Sequence, residues 1–289
     1  MKTRTGGFPI GFRRSGAEWQ KDIDALIAWS KDQGFEVIDV GRDGDASAKA
    51  VMDAGLRVGS VDLAEWKGMI SPDKARREEA VARNAEYVKA CTAAGVGNFF
   101  IVMLPEDPAR ERKENFGHMV EGFGALVPAL EAAGARVVIE GWPGPGALCC
   151  TPSECRKLFA ELPSAAMGIN YDPSHLVRLG IDPLRFLREF AARVGHVHAK
   201  DTELLDERRY ELGAEQPATF AEGIAFGGNH WRYCIPGHGC IRWRAAFELL
   251  AEAGYDGCVS VELEDAGFNG TEDGERQGLI FGGRYLEGC

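Results

Sequence analysis

Short apolar runs alternate with amphipathic stretches along most of this chain. At five places a helical pattern ends in a small or polar residue plus Gly, and a β-branched or aromatic run follows: Gln33-Gly34, Ala54-Gly55, Ala94-Gly95, Ala133-Gly134 and Ala253-Gly254. Gly at this position supplies the left-handed residue that closes a helix, and the run after it is typical of a buried strand. A capping side chain before proline predicts three helix starts, at Ser71-Pro72, Thr151-Pro152 and Asp182-Pro183.

The pattern predicts eight strands, each followed by a helix. The strands are expected at 7–12, 35–40, 56–62, 98–104, 136–140, 167–172, 194–199 and 257–262. The helices are expected near 17–33, 46–54, 72–94, 113–133, 152–161, 183–192, 242–253 and 275–286. Strict alternation implies a parallel sheet, and eight units imply an α/β fold of the (β/α)8 TIM-barrel type, with 1–289 as one domain. An open doubly wound sheet is the alternative, but no Gly-rich phosphate loop follows the first strand.

One long connection breaks the alternation. From 202 to 239 the chain is rich in Gly, Pro and aromatic residues and has no clear periodicity. So long a loop after the seventh strand of a compact domain is usually functional. We therefore expect residues 202–239 to form a lid or a contact within a homo-oligomer.

Composition and charge narrow the class of protein. The chain has 289 residues and a net charge of −11, which argues against a nucleic-acid partner, because binding a phosphate backbone relies on a cationic surface. Neither a signal peptide nor 18 consecutive apolar residues are found, so no membrane partner is expected. The eight cysteines are scattered with no C-x-x-C pair, which favours reduced thiols. These features predict a cytoplasmic enzyme.

On the face that lacks bulky apolar residues, each of the last four predicted strands ends with an ionisable group: Glu140, Asp172, His198 and Glu262. The carboxyl ends of barrel strands meet at one mouth, where three carboxylates would repel one another unless a cation lies among them. Oxygen ligands with one imidazole favour Mn²⁺ or Mg²⁺, with Co²⁺ or Zn²⁺ as alternatives. The competing interpretation is a set of buried ion pairs that closes the barrel without a metal.

The motifs around these residues carry a family resemblance. The segments IEGW, NYDPSHL, HVHAKD, PGHGCIRW and VSVELED resemble the xylose isomerase-like TIM-barrel superfamily, in particular sugar phosphate isomerase/epimerase proteins similar to ketose 3-epimerases. The resemblance implies that Glu140, Asp172, His198 and Glu262 hold the metal. It also implies that Glu140 and Glu262 act as acid and base, and that His175 contacts the substrate or supports the metal.

The predicted substrate contacts are less well defined. The similar epimerases carry a substrate arginine shortly after the strand-seven histidine, whereas Lys200 and Asp201 follow His198 here. Arg208, Arg209 and Arg232 are the candidate replacements. Other candidates for substrate binding are Trp142, Lys200 and His238, although packing, ion pairing or a turn explains each equally well. His196 fits a hydrogen-bonded core histidine better than a ligand.

Together these features predict a divalent-metal-dependent sugar isomerase or epimerase of carbohydrate metabolism. The metal would acidify a C–H bond beside a carbonyl, and a carboxylate would move the proton through an enediolate. A metal-dependent lyase or hydrolase that cleaves a 3-keto-glycoside by elimination is the alternative. An endonuclease of the same superfamily fits poorly, because the chain is acidic and has six histidines in all. A non-catalytic sugar-binding protein is the remaining hypothesis.

Overall fold

A computed structural model describes residues 1–42 and 44–289 of the chain. Its strands are β1 Ile10–Arg13, β2 Val37–Asp39, β3 Arg57–Val58, β4 Val61–Asp62, β5 Asn98–Val102, β6 Arg136–Glu140, β7 Met167–Tyr171, β8 Val194–Ala199, β9 Asp201–Leu204, β10 Trp231–Cys234 and β11 Val259–Val261. Its α-helices are α1 Ile23–Gln33, α2 Gly44–Asp53, α3 Lys74–Ala93, α4 Arg112–Ala132, α5 Pro152–Glu161, α6 Pro173–Arg178, α7 Pro183–Phe190, α8 Asp206–Leu212, α9 Trp243–Glu252 and α10 Glu272–Glu287. Short 3₁₀ helices occur at Glu18–Gln20, Gly68–Ile70 and Ala191–Arg193.

The main sheet is parallel and curves into a barrel. Its strand order is β3-β2-β1-β11-β8-β7-β6-β5-β4. The two end strands, β3 and β4, are consecutive in the chain and form the two halves of one barrel strand. β3 pairs with β2, and β4 pairs with β5. A bridge between Gly41, just after β2, and Val61 of β4 closes the barrel. The predicted (β/α)8 barrel is confirmed.

The third barrel strand differs from the prediction, since the single strand expected at 56–62 is interrupted at Gly59 and Ser60. There the backbone packs against the buried carboxylate of Asp39, and the Ser60 N–H donates to Asp39 Oδ1 at 3.1 Å. A Cβ atom on Gly59 would lie 2.1 Å from the same oxygen. The close approach of this carboxylate accounts for the interruption.

The predicted helix ends are largely confirmed. Gly34 and Gly95 follow helices α1 and α3 with φ of +81° and +92°. The side chains of Thr151 and Asp182 cap helices α5 and α7. The start expected at Ser71-Pro72 was wrong, because Asp73 is the residue that caps α3, by accepting a hydrogen bond from the Ala75 N–H.

Two further elements differ from the prediction. The sequence predicts no helix between the strand at 167–172 and the helix at 183–192, but helix α6 begins directly after Asp172. The 202–239 connection is not without secondary structure, since β9 pairs with β10 in antiparallel register and α8 lies between them. Tyr233 stands opposite Thr202 in that pairing, and both residues are buried.

The apolar core lies between the sheet and the helices. Trp243, Phe247 and Leu250 of α9 are among its most buried members. A polar layer occupies the inside of the barrel, where Asp39 meets His196 and Ser260 from non-adjacent strands. Within the described residues, no helix has the length and apolarity needed to cross a membrane.

Candidate metal centre

The four residues predicted as metal ligands meet at the carboxyl ends of neighbouring strands. Glu140 ends β6, Asp172 follows β7, His198 lies in β8 and Glu262 follows β11. Each offers a ligand atom, and these atoms lie within 4.8 Å of one another. We call these four residues the carboxylate cluster. His198 Nδ1 lies at its centre, 2.8 Å from Glu140 Oε2 and 3.6 Å from Glu262 Oε2.

Glu140 is held by three hydrogen-bonding groups. Asn170 Nδ2 donates to Oε2 at 2.8 Å, His198 Nδ1 lies 2.8 Å from the same oxygen, and His175 Nε2 lies 3.3 Å from Oε1. Burial and the charge of Glu262 tend to raise the pKa of Glu140, but the bonds to His175 and His198 outweigh them. The pKa of Glu140 is therefore lowered, and the group is a carboxylate at neutral pH.

Asp172 has two unlike oxygens. Oδ1 accepts hydrogen bonds from the Ser174 N–H at 2.9 Å and the Ser174 hydroxyl at 2.6 Å, so it caps helix α6. Oδ2 is buried without a well-formed hydrogen bond, although His175 Nε2 and Lys200 Nζ each lie 3.3 Å away. Burial raises the pKa of Asp172, against the opposing charges of Lys200 and His175.

Glu262 is held by two cationic side chains. Lys200 Nζ lies 2.6 Å from Oε2, and Arg13 Nε lies 3.4 Å from Oε1. Burial tends to raise the pKa of Glu262, but the charges of Lys200 and His198 outweigh burial and lower it. Glu262 is the most accessible member of the cluster, with 15% of its side chain exposed.

Lys200 is the main counter-charge in the site. Its ammonium is fully enclosed and contacts three carboxylates, Glu262 at 2.6 Å, Glu264 at 3.1 Å and Asp172 at 3.3 Å. These contacts match the three N–H groups of an ammonium. Lys200 and Asp201 do not pair with each other, because Asp201 instead accepts from backbone N–H groups such as that of Ile241.

The residues of the cluster fit a divalent cation. Two buried carboxylates, one partly buried carboxylate and one imidazole provide the oxygen and nitrogen ligands that such ions prefer. Asp172 Oδ2 is a buried acceptor that lacks a hydrogen bond. On the far side of the His198 ring, Nε2 lies 3.3 Å from Asp39 Oδ2, where a carboxylate can orient the ring of a ligand histidine.

A second group of possible ligands, Asp39, His196 and His198, lies deeper in the barrel. Asp39 Oδ2 lies 2.8 Å from His196 Nε2, and Oδ1 accepts from Ser260 Oγ at 3.0 Å. His196 is therefore a hydrogen-bonded core histidine, as expected. Burial tends to raise the pKa of Asp39, but the bonds from His196 and His198 lower it.

Comparison with known proteins identifies the family. The model of the xylose isomerase-like TIM barrel matches residues 19–281, which is most of the chain. This chain belongs to the xylose isomerase-like TIM-barrel family. Among curated proteins, an inosose dehydratase of Clostridium beijerinckii is 29% identical over 154 residues, 53% of this chain and 48% of that protein. The chain thus spans about half the length of the curated relatives it matches.

Solved structures agree on the fold. The 3-keto-D-glucoside 4-epimerase YcjR from E. coli superposes with a TM-score of 0.71 at 17% identity, over 98% of this chain and 100% of that one. A D-psicose 3-epimerase gives 0.72 at 15% identity, over 97% and 100% of the two chains. The IolI protein with a bound zinc atom gives 0.69 at 16% identity, over 96% of each.

In this xylose isomerase-like barrel, His175 and Lys200 are the predicted substrate residues that lie against the carboxylate cluster. Trp142 is half-buried in the loop after β6, two residues beyond Glu140. Arg232 Nε lies 2.5 Å from Glu203 Oε2, and the exposed His238 packs on the ring of Phe281. Among the ion pairs and hydrogen bonds of the described residues, none joins Arg232 or His238 to the four cluster residues. The assignment of these two residues as substrate contacts stays a prediction.

The structure adds residues that sequence reasoning missed. Arg13 contacts Glu262, and its guanidinium also pairs with Asp62 at 2.9 Å. Tyr233 reaches the site from β10, and its hydroxyl lies 2.7 Å from His175 Nδ1. Arg13 and Arg178 therefore lie near the site, whereas Arg208 bonds within the long connection, to the carbonyl of Asn229.

Proposed function

We propose that this protein is a divalent-metal-dependent enzyme that moves a proton at a carbon beside the carbonyl of a sugar or a related polyhydroxylated ketone, giving an epimer or an isomer. The observation that carries the proposal is the placement of two carboxylates, Glu140 and Glu262, around one buried imidazole, His198. Membership of the xylose isomerase-like family agrees with it.

Glu140 and Glu262 are the proposed acid–base pair. Both have lowered pKa values, so both are ionised at neutral pH and either can accept a proton from carbon. Glu140 is fixed by Asn170 and His175, whereas Glu262 is fixed by Lys200 and Arg13. Different supports on the two carboxylates allow one to take the proton while the other remains charged.

Glu140, Asp172, His198 and Glu262 are the residues that would hold the cation, with Mn²⁺ the expected ion and Mg²⁺, Co²⁺ or Zn²⁺ as alternatives. A bound divalent ion supplies Lewis acidity that polarises a carbonyl oxygen and offsets negative charge beside it. Proton return by the second carboxylate to the opposite face gives an epimer. Return to the neighbouring carbon gives an isomer.

Elimination is the second candidate. The curated relatives that match include inosose dehydratases, which by name remove water from inosose. The first step is the same, because Glu140 or Glu262 would remove a proton beside a carbonyl. A leaving group on the next carbon would then depart, as in a dehydratase or in cleavage of a 3-keto-glycoside.

Deuterium exchange tests both candidates. The protein is loaded with Mn²⁺ and incubated in D₂O with a panel of ketoses, inososes and 3-keto-glycosides, and products are followed by NMR and mass spectrometry. Deuterium beside the carbonyl with the carbon skeleton and substituents intact supports an epimerase or isomerase, whereas loss of water or aglycone supports a lyase. No exchange with any member of the panel contradicts the proposal.

A matched pair of variants tests the assignment of the site. Glu262→Gln keeps the shape of the side chain but removes the charge, so exchange should fall by at least 100-fold, about 2.7 kcal/mol in the barrier. Glu65→Gln, on a half-exposed glutamate that pairs with Arg83 at 3.1 Å, should leave exchange unchanged. Full activity of Glu262→Gln means that Glu262 is not part of the acid–base pair.

The cytoplasmic location, the homo-oligomer, the single-domain extent of 1–289 and the role of 202–239 as a lid or oligomer contact stay predictions. A sugar or glycoside is the partner that the proposal requires. Gel filtration with light scattering measures the oligomeric state directly.

A further inference from the structure

Tyr233 connects the long segment after β8 to the carboxylate cluster. Its side chain is 4% exposed, and its ring lies 4.7 Å from Lys200 Nζ. The hydroxyl has two hydrogen-bonding neighbours, Arg178 Nη1 at 2.8 Å and His175 Nδ1 at 2.7 Å. Tyr233 therefore contacts helix α6, which carries both neighbours, and it reaches the cluster through the ring of His175.

The direction of these hydrogen bonds follows from the chemistry of the groups. A guanidinium can only donate, so Tyr233 Oη accepts from Arg178. The hydroxyl then has its single proton to donate, and the remaining neighbour is His175 Nδ1. Burial raises the pKa of Tyr233, so the hydroxyl keeps that proton at neutral pH.

The opposite nitrogen of His175 faces acceptors. Nε2 lies 3.3 Å from Glu140 Oε1 and 3.3 Å from Asp172 Oδ2. The ionised carboxylate of Glu140 can only accept, so Nε2 is the ring atom that must carry hydrogen. A proton on Nδ1 instead would leave the buried Tyr233 hydroxyl proton with no acceptor among the described residues.

We propose that Tyr233 is a positioning residue that fixes the His175 ring with Nδ1 as acceptor and Nε2–H directed at Glu140 and Asp172. This inference deepens the proposed function and rests on it for its catalytic consequence, since one carboxylate is the proposed proton carrier and both are candidate ligands. In this arrangement His175 Nε2 donates to the cluster and does not bind a cation. The segment between β8 and α9 thus influences the proposed proton transfer through the hydroxyl group of Tyr233.

The first test reads the tautomer directly and needs no substrate. In the metal-free protein with ¹⁵N-labelled histidine, long-range proton–nitrogen NMR correlations distinguish protonated from unprotonated ring nitrogens, and His175→Gln identifies the His175 signals. The expected result is an unprotonated Nδ1 and a protonated Nε2. A proton on Nδ1 in the wild-type protein overturns the proposal.

Variants then test the role of the hydroxyl. Tyr233→Phe keeps the ring over Lys200 and should shift the His175 Nδ1 signal, because that nitrogen loses its donor. Tyr255→Phe is the matched control, since it removes the hydroxyl of a partly buried tyrosine that donates to the Cys258 carbonyl at 2.7 Å, and it should leave the His175 signals unchanged. His175 signals in Tyr233→Phe that are identical to those of the wild type would overturn the inference.

Kinetics provide the last readout. Tyr233→Phe should lower kcat about 2- to 10-fold, the effect of one hydrogen bond, with the substrate KM within about twofold of the wild type. Arg178→Met should act in the same direction, because the hydroxyl is then no longer obliged to donate to His175. Unchanged kcat in Tyr233→Phe overturns the positioning role. If the tautomer is as expected but no substrate turns over, the proposed function fails and the tautomer assignment stands.

Discussion

Replacing Lys200 by methionine removes a buried ammonium from among three carboxylates while keeping most of the side-chain volume. Lys200 Nζ lies 2.6 Å from Glu262, 3.1 Å from Glu264 and 3.3 Å from Asp172, and its side chain is 2% exposed. The ammonium also neutralises part of the negative charge that would otherwise attract a metal ion. The variant should therefore change folding stability and cation affinity in opposite directions.

The size of each effect follows from these contacts. Removing one partner of a buried ion pair costs about 3–5 kcal/mol, because the remaining charges stay buried without compensation. The metal-free variant should lose about that much free energy of unfolding. Its Mn²⁺ affinity should rise about 10-fold or more, equivalent to about 1.4 kcal/mol, since the cation no longer competes with Lys200. Mn²⁺ at 100 times its Kd should then restore about 2.7 kcal/mol.

Urea unfolding with EDTA and with Mn²⁺, combined with isothermal titration calorimetry, measures both quantities. Lys157→Met is the matched control, because Lys157 pairs with Glu161 on the exposed face of α5 and its side chain is 62% exposed. That variant should lose less than about 1 kcal/mol and leave Mn²⁺ binding unchanged.

Two results would refute the reasoning. A metal-free Lys200→Met protein as stable as the wild type would mean that the ammonium does not compensate the buried carboxylates. Failure of both the wild type and the variant to bind Mn²⁺, Mg²⁺, Co²⁺ or Zn²⁺ would favour the alternative in which the cluster is a network of ion pairs that closes the barrel.

Three further predictions concern the inner side of the site. Burial tends to lower the pKa of His198, but the charge of Glu262 and the hydrogen bonds to Asp39 and Glu140 raise it. Mn²⁺ binding should therefore release about one proton at pH 7 and tighten as pH rises. Calorimetry in buffers of different ionisation enthalpy measures the number of protons released. Asp39→Asn should lower the free energy of unfolding by about 2 kcal/mol, because a carboxylate that accepts several buried hydrogen bonds becomes an amide with one acceptor; equal urea midpoints would contradict this. Gly59→Ala places a Cβ atom 2.1 Å from Asp39 Oδ1 and should cost about 1–3 kcal/mol, whereas Gly16→Ala has no neighbour within 4 Å and should cost much less.

The carboxylate cluster could be predicted from the sequence because its signal is local. Glu140 ends β6 and Asp172 directly follows β7, and side-chain alternation places both on the face that lacks bulky apolar residues. Parallel register then brings the ends of neighbouring strands together, as in the pairing of Glu140 with Asn170. The barrel itself followed from the same alternation of strand and helix.

The supports of the cluster had no such signal. Tyr233 and His175 are 58 residues apart, and their contact depends on the pairing of β10 with β9. No hydrophobic periodicity in residues 202–239 predicts that pairing. Arg13 lies one residue beyond the strand expected at 7–12. Asp39 was a visible anomaly, a charge inside the strand expected at 35–40, but its partners come from strands far along the chain.

The two halves of the barrel contribute differently to the candidate site. The strands from β6 to β11 provide the candidate ligands, whereas the first half provides Arg13 against Glu262 and Asp39 against the far side of His198. Because the ligands themselves stay in place, variants of Arg13 and Asp39 should alter cation affinity and proton transfer without removing a candidate ligand. Comparison of Arg13→Met with Glu262→Gln would separate these effects, since the first removes a support and the second removes a ligand together with a proposed proton carrier. A loss of Mn²⁺ binding in Arg13→Met as large as in Glu262→Gln would mean that the first half of the barrel does more than support the site.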